Sequence, residues 1–274
     1  MNIVLLLNND VASNLALNLL LPTLSLHQVS VFLSSKVGGN ATRPEALQRL
    51  AIFEQQNVFQ MLSEQSKNNG DNDFKNFSEI ATEHSLAIEI LNDINSPVGI
   101  DKISALSPDV IISIRYGVIL KKPIIDLVKH GVINLHSGAL PAYRGVMATF
   151  WALLNDEKKL TATLHTITDS TIDTGGVIAT ATINVQPEKS YLWHVLSLYV
   201  GGCRLIEQAI NNLSNGCILD AAKQSQGGHY YSFPNTEQVT DFVMRYGDLY
   251  QSHEIISLLN TLMPQNSISN LNSG

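Results

Sequence analysis

The sequence predicts a doubly wound, mostly parallel α/β sheet with a small C-terminal appendage, on three observations. Short aliphatic runs alternate with stretches of helical spacing from the N-terminus to about Leu154. Several runs are continuously apolar, as in strands buried on both faces. Polar, Gly- or Pro-bearing turns separate the segments, which implies βαβ units and a parallel sheet.

Residues 2–7 read as the first buried strand. Asp10 or Ser13 caps a helix to about Leu21, and Pro22 helps to stop it. Val29 to Leu33 is a second strand, and Lys36 to Asn40 a Gly-rich loop. Pro44 to about Gln65 has helical spacing through Leu47, Leu50, Phe53, Val58, Met61 and Leu62, and Lys67 to Asp73 is a polar loop. Leu86 to Ile90 reads as a strand, Val98 to Leu106 as a helix, Val110 to Ile114 as a strand, Ile124 to Lys129 as a short helix and Val132 to Leu135 as a strand. Met147 to Leu154 is a helix, and Ala162 to Ile167 and Gly176 to Ile183 are two further strands. Tyr191 to Leu213 reads as a helix, Gly227 to Tyr231 as an exposed loop, Thr236 to Tyr246 as an amphipathic helix and Asn266 to Gly274 as a fraying tail.

At 274 residues and 45% hydrophobic, the chain can build a sizeable core. Its net charge of -7 argues against nucleic acid or an anionic membrane as partner. The apolar start lacks a basic leader region and breaks at Asn8-Asn9-Asp10, so it reads as a strand rather than a signal peptide. No apolar run reaches the ~18 residues of a membrane span. Cys203 and Cys217 have no partners at metal-ligand spacing and suit a reducing cytoplasm. No metal site is expected. There is no GxGxxG and no GxxxxGK[ST], so nicotinamide and ATP have no motif behind them.

The chemistry concentrates late in the sheet. Asn134 and His136 stand two apart, so on an extended segment both leave one face. Doubly wound sheets bind ligands beyond the C-terminal ends of their strands, where these two residues fall, as does Arg115-Tyr116-Gly117. An amide to hold an oxyanion, an imidazole to move a proton and a carboxylate to hold the imidazole can run acyl transfer. Asp173, in Asp173-Thr174-Gly175, supplies the carboxylate, although it also suits an Asx turn. Asp169 is a rival carboxylate that better suits loop shaping. His165 fits a core strand or a site wall equally, and Arg144 fits a cleft rim.

Four stretches carry a resemblance. Ser107-Pro108-Asp109-Val110-Ile111-Ile112, Ile133-Asn134-Leu135-His136-Ser137, Leu140-Pro141-Ala142-Tyr143-Arg144-Gly145 and Ile172-Asp173-Thr174-Gly175 occur in the order and near the spacing of the folate-dependent formyltransferases. That family includes glycinamide ribonucleotide, methionyl-tRNA and sugar-nucleotide N-formyltransferases. The chain has Gly138-Ala139-Leu140-Pro141 where many members read Ser-Leu-Leu-Pro.

The resemblance implies a Rossmann-like formyltransferase domain over 1–190, with a helix and small appendage over 191–274. It implies 10-formyltetrahydrofolate as formyl donor, held largely through backbone groups of Tyr116, Gly117, Val118, Ile119 and Leu120 and by the loop containing Asp169 and Ile172. Catalysis would fall to Asn134 for the oxyanion, His136 for proton transfer and Asp173 for orienting and charging His136. The expected acceptor is a small-molecule primary amine, first an amino-sugar nucleotide. Asn8-Asn9-Asp10 is not the Gly-rich phosphate loop of the purine-pathway enzyme, which counts against a ribonucleotide. Residues 205–274 carry only Lys223 and Arg245 against six acids, which counts against tRNA. Hydrolysis of the donor and non-catalytic folate or nucleotide binding are the other readings. A homodimer through the C-terminal segment is a further expectation.

Overall fold

The computed structural model describes residues 1–35, 43–69 and 74–263. In chain order the strands are β1 (Asn2–Asn8), β2 (Gln28–Ser34), β3 (Ala87–Ile90), β4 (Val110–Ile114), β5 (Val132–His136), β6 (Tyr143–Gly145), β7 (Lys159–Ile167), β8 (Val177–Asn184) and β9 (His229–Tyr231). Seven of them form one sheet in the order β3-β2-β1-β4-β5-β7-β8. The first five are mutually parallel, and β7 and β8 add antiparallel to β5. β6 and β9 form a separate parallel pair.

The helices are α1 (Val11–Leu24), α2 (Glu45–Ile52), α3 (Val58–Asn69), α4 (Phe77–Glu83), α5 (Pro97–Ala105), α6 (Lys122–Ile125), α7 (Ala148–Leu154), α8 (Tyr191–Ser214), α9 (Thr236–Tyr246) and α10 (Ser252–Leu262). A π-helical turn, Phe53–Asn57, joins α2 to α3. β1, β4 and β5 are buried almost throughout because helices cover both faces of the sheet. Ile112, Ile114, Ile133 and Leu135 pack on one side against α1 and α8, whereas Ile111 and Val132 pack on the other against α5 and α6.

Several local expectations need correction. Asp10 is the cap of α1, accepting from the Ser13 N–H at 2.8 Å. The helix runs through Pro22 to Leu24, because the one backbone bond that proline removes lies in a turn that is ending anyway. α6 starts two residues earlier than expected and stops at Ile125, since Pro123 in its first turn favours initiation. The stretch 227–231 is not all loop: His229–Tyr231 is β9, completing a ladder with β6. α4, α10 and β6 were not foreseen. The loop at Lys36 to Asn40, the loop at residues 70–73 and the tail at Asn266 to Gly274 lie outside the described residues, whereas Lys67 to Asn69 end α3. Among the described residues no helix is long and apolar enough to cross a membrane.

Candidate active site

β5 delivers two polar side chains at its C-terminal end. Ile133 and Leu135 are committed to the core under α1 and α8, so alternation sends Asn134 and His136 to the opposite face. The neighbouring strand β7 runs antiparallel and sets His165 directly across from Asn134. Asp173 enters from the loop between β7 and β8 in the left-handed conformation, φ 56°, which aspartate tolerates better than most residues. The structure therefore brings together Asn134, His136 and Asp173, with His165 between them.

The contacts dictate much of the protonation. Nδ1 of His165 lies 2.9 Å from the Thr166 carbonyl, which can only accept, so Nδ1 carries a proton. In the neutral ring Nε2 then accepts from the Asn134 amide at 3.0 Å. That bond uses one of the two amide hydrogens, and the other makes no hydrogen bond among the described residues. Nε2 of His136 lies 2.7 Å from the Tyr143 carbonyl and so carries a proton as well. Its Nδ1 faces Asp173 Oδ2 at 3.6 Å, and Asp173 Oδ1 is 3.4 Å from His165 Nε2. Each nitrogen of His136 thus faces an acceptor oxygen.

Asp173 is held as an anion. Burial pushes its carboxyl up, but the adjacent imidazoles of His136 and His165 and the Gly145 N–H, at 2.8 Å, outweigh it and bring it down to about 2. Gln224 fixes the loop itself, donating to the carbonyls of Asp173 at 2.8 Å and Gly175 at 2.7 Å. Nothing in the sequence marks Gln224 for this task. Gly175 is required by a close approach, since a Cβ there would stand 1.7 Å from the Thr166 carbonyl oxygen.

The turn after β5 shapes the other wall. Thr149 and Thr163 hydroxyls donate to the Ser137 and Gly138 carbonyls at 2.8 and 2.7 Å. A Cβ on Gly138 would meet His136 Nε2 at 2.7 Å and Ala148 Cβ at 2.5 Å. Gly138 therefore packs directly against the His136 ring and Ala148. Asp169 folds back on its own turn, accepting from the Thr171 N–H at 2.7 Å and from the Thr171 hydroxyl. Those two bonds lower its pKa, and its role is loop shaping. Ile172 is half-buried beside it.

The segment Tyr116 to Leu120 follows β4 at the same sheet end. The Tyr116 hydroxyl donates to the Leu91 carbonyl, the Gly117 N–H to Ser34 Oγ at 2.8 Å, and Asn95 to the Ile119 carbonyl at 2.9 Å. These bonds pin the loop. Among the described residues no hydrogen bond uses the N–H groups of Val118, Ile119 or Leu120, so three backbone donors remain for a ligand or water. Ile119 is 52% exposed beside them.

Arg115 turns away from this site. At φ 58° it breaks the strand alternation and reaches Asp10 Oδ2 at 2.8 Å and Glu54 Oε1 at 3.0 Å on the α1 and α8 side of the sheet. Burial pushes the Glu54 carboxyl up to about 7 against the pull of Arg115. The cluster anchors the π-turn to the ends of β1 and β4.

Comparisons with known proteins bear on the fold and the family. A 119-residue stretch is 38% identical to a methionyl-tRNA formyltransferase of Thermodesulfovibrio yellowstonii, covering 43% of this chain and 38% of that protein's length. The fold is similar to that of an N-formyltransferase from Helicobacter canadensis, solved in complex with folinic acid and dTDP-3-aminofucose. The TM-score is 0.57 and the identity 18%, over 90% of this chain and 80% of that one. It is also similar to a 4-N formyltransferase from Francisella tularensis, with a TM-score of 0.56 and 16% identity over 89% and 87% of the two chains. A sequence profile described as formyl transferase matches residues 42–192, more than half of the protein and including Asn134, His136, His165 and Asp173, and on that match the chain belongs to the formyl transferase family.

Proposed function

We propose that the protein transfers a formyl group from 10-formyltetrahydrofolate to a primary amine, with an amino-sugar nucleotide as the acceptor. The observation that carries the reading is the linked set Asn134, His165, Asp173 and His136 at the end of β5, at the same end of the sheet as a loop with unused backbone donors. The donor supplies a formyl carbonyl whose oxygen gathers negative charge as an amine adds. Asn134 presents its second amide hydrogen toward that charge. As the amine nitrogen adds to the formyl carbon, the bond from that carbon to N10 of the donor breaks, the amine gives up a proton and N10 takes one, and His136 on the same strand face is the group to relay it. Asp173 keeps the ring oriented. The N–H groups of Val118 to Leu120 suit a flat heterocycle read through hydrogen bonds to the main chain.

The acceptor reading draws on two supports. The similar Helicobacter canadensis structure was solved with a nucleotide-linked amino sugar. Residues 205–274 are acidic, which disfavours a polyanionic tRNA partner. The test is tetrahydrofolate release from 10-formyltetrahydrofolate with amino-sugar nucleotides, glycinamide ribonucleotide and methionyl-tRNA in parallel. Release with sugar nucleotides, abolished in Asn134→Ala, is expected. Release without any amine would make the protein a hydrolase, and release with tRNA alone would overturn the acceptor.

A further inference from the structure

The two-stranded sheet beside the site has one face that the fold explains and one that it does not. In register, Tyr143 pairs with His229, Arg144 with Tyr230 and Gly145 with Tyr231. Side chains alternate across a strand, so Tyr143 and Tyr231 share one face and Arg144 and Tyr230 the other. The first face is interior: the rings of Tyr143 and Tyr231 stack at 5.6 Å, and Tyr231 stacks on Trp151 at 4.9 Å. On the second face Tyr230 is left 57% exposed.

Arg144 is the stranger residue. Its Nε is shut off from solvent and has no hydrogen-bond partner among the described residues. No ion pair or hydrogen bond to the rest of its guanidinium is formed there either. A guanidinium is a five-donor fork shaped for carboxylate or phosphate, and closing off one of its N–H groups without an acceptor costs free energy. An anion that draws the group outward restores that bond and adds a second.

This face also abuts the chemistry. The Gly145 N–H binds Asp173 at 2.8 Å, and a Cβ placed on Gly145 would meet Tyr230 Cε2 at 3.0 Å. The Tyr230 ring therefore lies one residue from the carboxylate that orients His136. A planar ring to stack on, next to an unpaired guanidinium, at the edge of a transfer site, fits a ligand that joins a flat ring to an anion.

We propose that Arg144 and Tyr230 hold the nucleoside diphosphate of the formyl acceptor, the guanidinium on the diphosphate and the ring against the base or sugar. The assignment rests on the amino-sugar nucleotide reading above. The carboxylate-bearing tail of the folate donor shares the same chemistry, and the test separates the two sources.

The experiment is calorimetric titration of UDP, dTDP, GDP, ADP and folinic acid into the full-length protein, Arg144→Gln and Tyr230→Ala, with thermal melting to verify folding. Each substitution is expected to weaken the preferred nucleoside diphosphate by about tenfold or more and to leave folinic acid within about twofold. Arg144→Lys, which keeps the charge without the fork, is expected to fall between. Unchanged nucleoside diphosphate affinity in both variants overturns the proposal, and so does a loss confined to folinic acid. A native protein that binds folinic acid but no nucleoside diphosphate overturns it while leaving formyl transfer standing. A protein that binds neither, with no transfer to any amine, overturns both.

Discussion

Replacing Asp173 with Asn tests the electrostatic core of the site. The substitution keeps a side-chain oxygen for the Gly145 N–H, bound at 2.8 Å, and asparagine accepts the left-handed φ of 56°. What disappears is the negative charge 3.6 Å from His136 Nδ1 and 3.4 Å from His165 Nε2. The fall of the Asp173 carboxyl from 3.8 to about 2 reflects these neighbours together with the Gly145 N–H bond that asparagine keeps, a net of roughly 2.5 kcal/mol after burial has taken its share. Losing the part that belongs to the charge lowers kcat/KM for formyl transfer by about tenfold to fiftyfold. Folinic acid affinity should change little, since the backbone of Val118 to Leu120 is untouched.

The same shift fixes a pH signature. A carboxyl whose folded pKa is depressed contributes stability that is present above its unfolded pKa and lost as pH falls through the folded one. Native protein should therefore lose part of its thermal midpoint between about pH 4 and pH 2, and Asp173→Asn should lose less over that interval. The assays are steady-state kinetics with the accepted amine and melting curves against pH. An Asp173→Asn variant that retains more than about a third of the native kcat/KM refutes the coupling, whatever its stability.

The other predictions concern neighbouring groups. His165→Ala, which takes the acceptor from the Asn134 amide, should lower kcat by about fivefold to thirtyfold with folinic acid affinity preserved, and His165→Gln should recover part of the loss because its amide oxygen can accept the same bond. Gly138→Ala should displace the His136 ring, abolishing most activity and costing about 1–3 kcal/mol in denaturant unfolding, because its Cβ has no room between His136 Nε2 and Ala148. Glu54, raised to about 7, contributes stability that is fully present below its unfolded pKa near 4.5 and lost as pH rises through 7. Glu54→Gln should flatten the thermal midpoint between pH 5 and 8, where the native protein declines by at most about 3 kcal/mol.

The elements visible in the sequence are those whose environment is uniform. β1, β4 and β5 are covered on both faces, so their continuous apolar runs mark them directly. The π-turn shows how a correct pattern can hide a detail. Leu47, Leu50 and Phe53 follow helical spacing, but the next fully buried position, Val58, is five residues on, and that extra residue is what the wider turn absorbs. α4 is only seven residues long and has too few turns for periodicity, although Asn76 and Glu79 form a capping box that announces its start. β6 and β9 carry no period at three residues each, and their pairing joins positions 86 apart in the chain.

The site divides along the same line. Asn134 and His136 are legible because a strand fixes their relation locally, and Asp173 because its turn chemistry surrounds it. His165 is ambiguous in one dimension: a histidine between apolar neighbours on a strand looks like core, and at 1% exposed it is core by burial. Only the antiparallel register of β7 against β5 places it opposite Asn134 and within reach of Asp173. Arg115 is the converse case. It adjoins the loop that the family resemblance marks, yet a left-handed backbone turns its side chain through the sheet to Asp10 and Glu54. One strand end thus sends its cation to the scaffold while its neighbour sends an amide and an imidazole to the cleft. The scaffold ion cluster and the candidate site lie on opposite faces of the sheet, and on the cleft side His136 is the residue of β4 and β5 that meets Asp173. That division is the physical reason the pairing of His136 with Asp173 is the contact on which the proposed transfer should depend.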